Sequence, residues 1–318
     1  MSIKKVEKNL FRAKISYDEI ITGNEFTQFL NVLFGNTSIK PNIKVEKIII
    51  SNKLIKYFKG PVFGIQGIRK ILNAYKRPIL CSAIKPMGLS PSELANLAYK
   101  FAIGGIDIIK DDHGLANQSF CPFKQRVKKV CEAIKRTAKK CLYAPNVTAD
   151  TTDEIIKRSI YAKKYGAGAL VISPGLCGFS AINILAHKIK IGLPILFHPA
   201  FLGSFTVNKY SGISPYALYG QLARLSGADI SIFPNFGGRF SFSKQDCREI
   251  DKGCKNKIGN IKKIFPAPGG GMTLKRIKEL KKFYGNDVVF LIGGALIEES
   301  PDIVENCRSF KELVLKNR

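Results

Sequence analysis

From residue 78 onward the chain repeats one unit: a short apolar run, a polar or glycine-rich loop, then an amphipathic stretch. The apolar runs are Pro78–Lys85, Gly105–Asp112, Leu142–Thr148, Ala169–Leu176, Leu193–Ala200, Ala228–Asn235, Ile264–Gly270 and Val288–Ala295. Continuous short runs of this kind suit strands covered on both faces, as in a parallel sheet. Helical periodicity fills the intervals, for example at Ser90–Ala102, Thr152–Tyr165, Pro215–Leu225 and Leu274–Tyr284, with Ser90 and Glu93 at capping-box spacing. Eight such units over roughly 250 residues is the size of a closed (β/α)8 TIM barrel. A doubly wound open sheet is the alternative; the chemistry gathered at the strand ends favours the barrel. The expected fold is therefore α/β: a TIM barrel over residues 61–318, preceded by a short α+β module over residues 1–60.

The first 60 residues read differently. Phe11–Ile20 and Lys44–Ser51 alternate like strands, and Glu25–Phe34 looks helical. So short a module buries little by itself, so it is expected to pack on the barrel or on a partner subunit. No apolar run approaches the roughly 18–20 residues needed to cross a membrane. The start, Met1-Ser-Ile-Lys-Lys, has no apolar segment of a signal peptide. A cytoplasmic protein with no membrane partner is expected. The eight cysteines include no Cys-x-x-Cys pair and read as small buried thiols. A net charge of +27 raises the question of nucleic acid. The lysines scatter through nearly every helical segment, without a stripe or interleaved aromatics, so a solvated surface that attracts small anions is expected instead.

Catalytic groups of such barrels sit at the C-terminal ends of the strands. Those ends read Lys85; Lys110, Asp111, Asp112 and His113; Asn146; His198; Asn235 and Arg239; Gly269, Gly270 and Gly271; Gly293 and Gly294. An amine, two carboxylates and an imidazole at one strand end suit a divalent metal or a proton-transfer site better than they suit stability. Mg²⁺ prefers oxygen ligands. A lysine ammonium cannot ligate it, whereas an N-carbamylated lysine can; a plain Lys–carboxylate salt bridge is the alternative. Lys85 follows an apolar run and suits proton transfer. His198 could bind an oxyanion or move a proton. The paired glycine loops after strands seven and eight fit a phosphate site, and Arg239 on its glycine-flanked loop could close over an anion. His187 falls in a helix and reads as a surface or capping residue.

These motifs resemble the large subunit of RuBisCO, and more closely the RuBisCO-like (form IV) proteins that lack carboxylase function. The matching segments are Gly60-Pro-Val-Phe-Gly-Ile-Gln-Gly-Ile-Arg69, Ile84-Lys-Pro-Met-Gly-Leu-Ser90, Gly104-Gly-Ile-Asp-Ile-Ile-Lys-Asp-Asp112 and Val289-Phe-Leu-Ile-Gly-Gly294. The resemblance implies that Lys85, Lys110 and His198 are catalytic, with Lys110 at the carbamylated position. Lys110, Asp112 and His113 would then hold Mg²⁺. Asn36, Asn146, Arg239 and the glycines 269–271 and 293–294 would hold a phosphorylated substrate. Asn36 resembles an asparagine that reaches into a neighbouring subunit's site, which implies a homodimer with shared sites.

Four departures from the RuBisCO pattern argue against carboxylation: His113 replaces a glutamate, Met87 a lysine, Ile232 a histidine and Arg239 a lysine. The N-terminal module also looks shortened by roughly half against family domains, so that a reduced cap or an inactive chain is expected. The implied function is a Mg²⁺-dependent enzyme acting through an enolate on a phosphorylated keto-sugar or keto-sugar acid. Its signatures look closest to 3-oxo-isoapionate 4-phosphate decarboxylases or transcarboxylases. A 5-methylthioribulose-1-phosphate-type isomerase or enolase, and a catalytically silent barrel with a binding role, are the alternatives.

Overall fold

The computed structural model describes residues 1–316. Eight parallel strands form inside the eight apolar runs, each shorter than its run: β1 Ile79–Ile84, β2 Ile108–Asp111, β3 Leu142–Ala144, β4 Leu170–Ile172, β5 Ile195–Phe197, β6 Ile230–Pro234, β7 Phe265–Gly269 and β8 Val289–Leu291. They pair in two four-stranded sheets, β8-β1-β2-β3 and β4-β5-β6-β7. Asn146 bridges Val171 to join the sheets on one side, and Gly269 lies against the Leu291 side chain on the other. The result is a closed (β/α)8 barrel.

Strand periodicity then sorts every side chain. Cys81, Ile108, Leu142, Ala144, Val171, Leu196, Ile230, Ile232, Phe265, Ala267 and Val289 fill the barrel interior, and Ile65, Ile68 and Leu72 of the helix Gly64–Leu72 join that interior cluster. The alternate residues, among them Leu80, Ile109, Tyr143, Ile172, Phe197, Phe233 and Phe290, face the surrounding helices. Those helices begin where their sequence says they should. Pro91–Gly104 carries the Ser90–Glu93 capping box, and Thr152–Tyr165 is capped by Thr151. The helical run after β5 is a π-helical stretch, Tyr216–Leu222, before Ala223–Ser226. No helix among the described residues is long and apolar enough to cross a membrane.

The N-terminal module packs on loops that leave the C-terminal ends of β4 and β5. Its helix Phe26–Phe34 buries Phe26 and Phe29 against Phe58, with ring centroids 5.7 and 4.9 Å away, and Phe26 also meets Phe179. Two expectations need correction. Strand structure in the first alternating segment ends at Lys14, in a hairpin of Ser2–Glu7 with Leu10–Lys14 whose residues are all exposed. Asp18 then caps a 3-10 turn, Glu19–Thr22. In the second segment only Lys44–Val45 pairs, with Gly212–Ile213. Beyond it the Gln221 amide takes both peptide groups of Ile48, at 2.8 and 2.7 Å, and so stands in for a neighbouring strand. His187 is half-buried and ties this region down through Nε2 and the Gly60 carbonyl, 2.8 Å apart.

Asp229, at the start of β6, closes the N-terminal end of the barrel. Its carboxylate accepts the N–H groups of Phe63 and Gly64 at 2.8 Å each and of Ile195 at 3.0 Å. An amide there would turn a donor toward one of these buried donors. Asp229→Asn is therefore expected to destabilise the protein by about 1–3 kcal/mol, read as a lower urea midpoint. An unchanged midpoint would mean that the carboxylate does not hold this end together.

Candidate active site

The site begins with a split between neighbouring carboxylates on β2. Lys110 and Asp112 lie on the inward parity, whereas Asp111 points out beneath the helix Phe123–Arg136. There Asp111 meets Arg126, Nε to Oδ2 3.0 Å, both side chains fully buried. The Tyr143 hydroxyl donates to Asp111 at 2.6 Å and the Asn146 N–H at 3.0 Å. Burial opposes the Arg126 charge, but Asp111, Tyr143 and Cys121 together more than offset it, so the guanidinium stays charged. Arg126 also donates to the carbonyls of Cys121 and Ala116, each at 2.9 Å, which fixes the loop that follows Asp112. The expectation of two acids at one point is thus corrected: one carboxylate serves the scaffold and one serves the site.

Lys110 is buried, and its Nζ donates to the Asp111 carbonyl at 2.6 Å. Burial above all drives its amine toward the neutral form, and the Lys85 charge adds to that, against the pull of Cys81 and the two aspartates. Asp112 goes the other way. Burial raises it, but hydrogen bonds from His113 and from the Gly114 N–H, with the nearby Lys110 charge, hold it well below the usual carboxylate range. His113 Nδ1 lies 3.2 Å from Asp112 Oδ1, and its ring stacks on His198 with centroids 4.8 Å apart. Burial first, then the charges of Lys110 and His113, hold His198 well below its ordinary value. Its Nδ1 accepts from the Ala200 N–H at 3.2 Å, so the neutral ring carries its proton on Nε2.

Lys85 continues the inward series of β1, and its side chain runs over the turn after β8. A methyl group on Gly293 or Gly294 would stand 3.0 or 3.3 Å from the Lys85 Nζ, so these glycines make room for the amine. The turn after β7 behaves in a similar way. Gly238 lies on the Gly270 carbonyl so closely that a side chain on it would fall 2.2 Å from that oxygen, and Phe240 crowds Gly270. Arg239 is exposed on the loop after β6 that carries Gly238, with its guanidinium 4.9 Å from the Phe240 ring centre.

The other expected residues fall elsewhere. Asn146 spends its side chain on the loop after β2, donating to the carbonyls of His113 and Leu115 at 3.0 Å each and accepting from Thr148. Asn36 is exposed at the start of the 3-10 turn Asn36–Ile39, and no hydrogen bond among the described residues links it to the cluster. Ile232 lies in the apolar barrel interior, and the Met87 sulfur stands beside Gly114. Sequence reading did not single out Arg126, whose burial nothing in its charge foretells.

The donors can be tested against a divalent cation. Among the described residues no group of three His, Cys, Asp or Glu side chains is arranged to hold one. Two positions nevertheless fit a hard cation: the ionised Asp112, and Lys110, whose neutral amine is the form that takes up CO₂ as an oxygen-bearing carbamate. His113 offers nitrogen, which Mg²⁺ disfavours, and is already engaged with Asp112.

Residues 64–236 match the catalytic domain of the ribulose bisphosphate carboxylase large chain. The chain is 36% identical to ribulose bisphosphate carboxylase-like protein 1 of Rhodopseudomonas palustris, over 97% of its own length and 83% of that protein. It is 34% identical to the 5-methylthioribulose-1-phosphate isomerase of Rhodospirillum rubrum, over 95% of its length and 80% of the isomerase. A 2,3-diketo-5-methylthiopentyl-1-phosphate enolase of Bacillus cytotoxicus is also 34% identical, over 92% of this chain and 71% of the enolase. The crystal structure of a Rubisco-like protein from Rhodopseudomonas palustris superposes with a TM-score of 0.91 at 34% identity, covering 99% of this chain and 86% of that one.

The burial and charge around His198 predict a neutral imidazole at physiological pH. Its ring resonances are expected not to shift between pH 8 and about pH 6, below the ordinary midpoint near 6.5. An NMR titration of the three histidines, assigned with His198→Gln, checks this. A His198 midpoint at or above the ordinary value would overturn the reading.

Proposed function

The chain belongs to the RuBisCO large-chain family, and from that premise we propose that it enolises a phosphorylated keto-sugar by moving a proton next to a carbonyl. The observation that carries this reading is the pairing of opposite tendencies at one barrel mouth: Lys110 driven toward its neutral form and Asp112 held ionised. An amine driven toward the form that takes up CO₂, beside an ionised carboxylate, suits a hard-cation site that would stabilise an enolate.

In this reading Lys85, acting as the neutral amine, takes the proton from the carbon beside the carbonyl onto Nζ. The negative charge that develops on the carbonyl oxygen is met by the Nε2–H of His198. Return of the proton to the former carbonyl carbon, while the hydroxyl proton of the adjacent carbon passes to the former carbonyl oxygen, completes an isomerisation; its return to that oxygen instead leaves the enol. Mg²⁺ bound by Asp112 and a carbamylated Lys110 would supply Lewis-acid polarisation of the same oxygen. The turns after β7 and β8, with Gly269–Gly271 and Gly293–Gly294, offer backbone N–H groups to the phosphate, and Arg239 offers a charge above them. Carboxylation is not part of the proposal, because Ile232 and Met87 put apolar side chains at two positions where the resemblance calls for a histidine and a lysine.

The relatives named as an isomerase and an enolase support this class of reaction. Loss of CO₂ from a keto-sugar acid would reach the same enolate, and that decarboxylase reading rests on the sequence signatures alone. The assembly we propose is a homodimer in which Asn36 serves the neighbour's site. Its exposure, with that of Ile39 (83%) and Ile20 (78%) in the same module, supports a covering partner.

The test is hydrogen–deuterium exchange on 5-methylthioribulose 1-phosphate in D₂O with Mg²⁺ and bicarbonate. The wild-type protein is expected to exchange the proton beside the carbonyl, and Lys85→Met to lose roughly 10²–10⁴-fold in rate. Exchange at an undiminished rate in Lys85→Met would remove Lys85 as the base. No exchange by the wild type would count against the enolising reading for this ligand.

A further inference from the structure

A buried hydroxyl without a partner stands at the C-terminal end of β4. Ser173 is 1% exposed, and its Oγ makes no hydrogen bond. The buried Ser82, Ser159, Ser214, Ser226 and Ser231 each donate to a backbone carbonyl, so the fold satisfies its other buried serine hydroxyls. A buried polar group left unpaired is costly to the folded state. The backbone of Ser173 is itself satisfied, with its N–H on Thr148 Oγ1 at 3.0 Å and its carbonyl accepting from the Cys177 thiol. Only the side chain is left over.

Strand register says where that side chain points. Val171 pairs with Leu196 facing inward, and Ile172 pairs with Phe197 facing outward. The next pair, Ser173 and His198, therefore faces inward again. On the other flank Asn146 bridges Val171, which brings the end of β3 alongside. The hydroxyl thus stands above the last apolar layer of the barrel, between His198 and the β3 loop. The other buried side-chain atoms without partners do not share this position. Asn235 turns toward Tyr284 in the helix layer, and Thr206 ends the short helix Gly203–Thr206.

We propose that Ser173 is a substrate-binding residue whose hydroxyl exchanges a hydrogen bond with an oxygen on the carbon chain of the phosphorylated sugar. The assignment rests on the enolising reading above. A hydroxyl both donates and accepts, so it suits an alcohol or keto oxygen. Its lack of charge makes it a weak grip for the phosphate, which the glycine turns and Arg239 serve. Ser173 would accordingly discriminate the carbon chain next to the reacting carbonyl while leaving phosphate binding alone. The unpaired hydroxyl is a cost to the free protein that the bound sugar relieves.

The test measures binding of 5-methylthioribulose 1-phosphate and of inorganic phosphate by calorimetry, together with thermal stability, for wild type and Ser173→Ala. The variant is expected to bind the sugar phosphate about 10-fold more weakly, to bind phosphate equally well, and to melt about 2 °C higher or more. Equal sugar-phosphate affinity in both proteins would overturn the assignment and leave the enolising reading intact. A lower melting temperature would also overturn it, since the hydroxyl would then be serving the fold. A wild-type protein that binds phosphate but not the sugar phosphate would sink the enolising reading and this assignment together.

Discussion

Everything at the barrel mouth depends on the buried ion pair of Asp111 and Arg126. An arginine and an aspartate with no exposure are tolerated only because each is fully hydrogen-bonded: Asp111 by Arg126, Tyr143 and the Asn146 N–H, and Arg126 by Asp111 and two loop carbonyls. Removing one partner of such a pair costs about 3–5 kcal/mol. The pair spans the end of β2, the start of the β3 loop and the helix behind them. It therefore sets the path of the chain through Asp112, His113 and Gly114. Asn146 completes the arrangement by holding the carbonyls of His113 and Leu115. The candidate site residues are placed by a rigid ionic scaffold one residue away.

The electrostatics of the site follow from that placement. Lys110 points inward into an apolar barrel with Cys81 near its amine, and desolvation favours its neutral form. Asp112 reaches the rim, where N–H donors and a nearby amine favour its charge. His198 lies between these tendencies and stays neutral, with its tautomer set by a backbone N–H. One strand thus presents a group prepared to lose a proton beside a group prepared to remain an anion.

The barrel was legible because two-sided burial writes strands as continuous apolar runs, and because each observed strand lies inside one of them. The runs overshoot, since residues such as Thr148 and Leu176 leave the ladder to form loops. Lys110, Asp112 and His198 could be read as strand-end residues, whereas the parity that separates Asp111 from Asp112 shows only once the strand register is known. Arg126 could not be found, because one arginine among 51 basic residues carries no mark of burial until its helix is docked. Ser173 was hidden for a similar reason: a serine at a strand end looks like any loop residue until its hydroxyl proves to be unpaired. The N-terminal module was the least legible. Its alternation reflects no second buried face, and Gln221, distant in sequence, takes the place of a strand.

The proposed cation site joins Asp112 to Lys110, a buried amine that desolvation drives toward its neutral form. The most direct measurement is Mg²⁺ affinity by calorimetry, with and without bicarbonate, for wild type and Lys110→Ala. The account predicts that bicarbonate tightens Mg²⁺ binding in the wild type and that the variant loses this response. Mg²⁺ binding that ignores bicarbonate in both proteins, or no Mg²⁺ binding by the wild type, would contradict it.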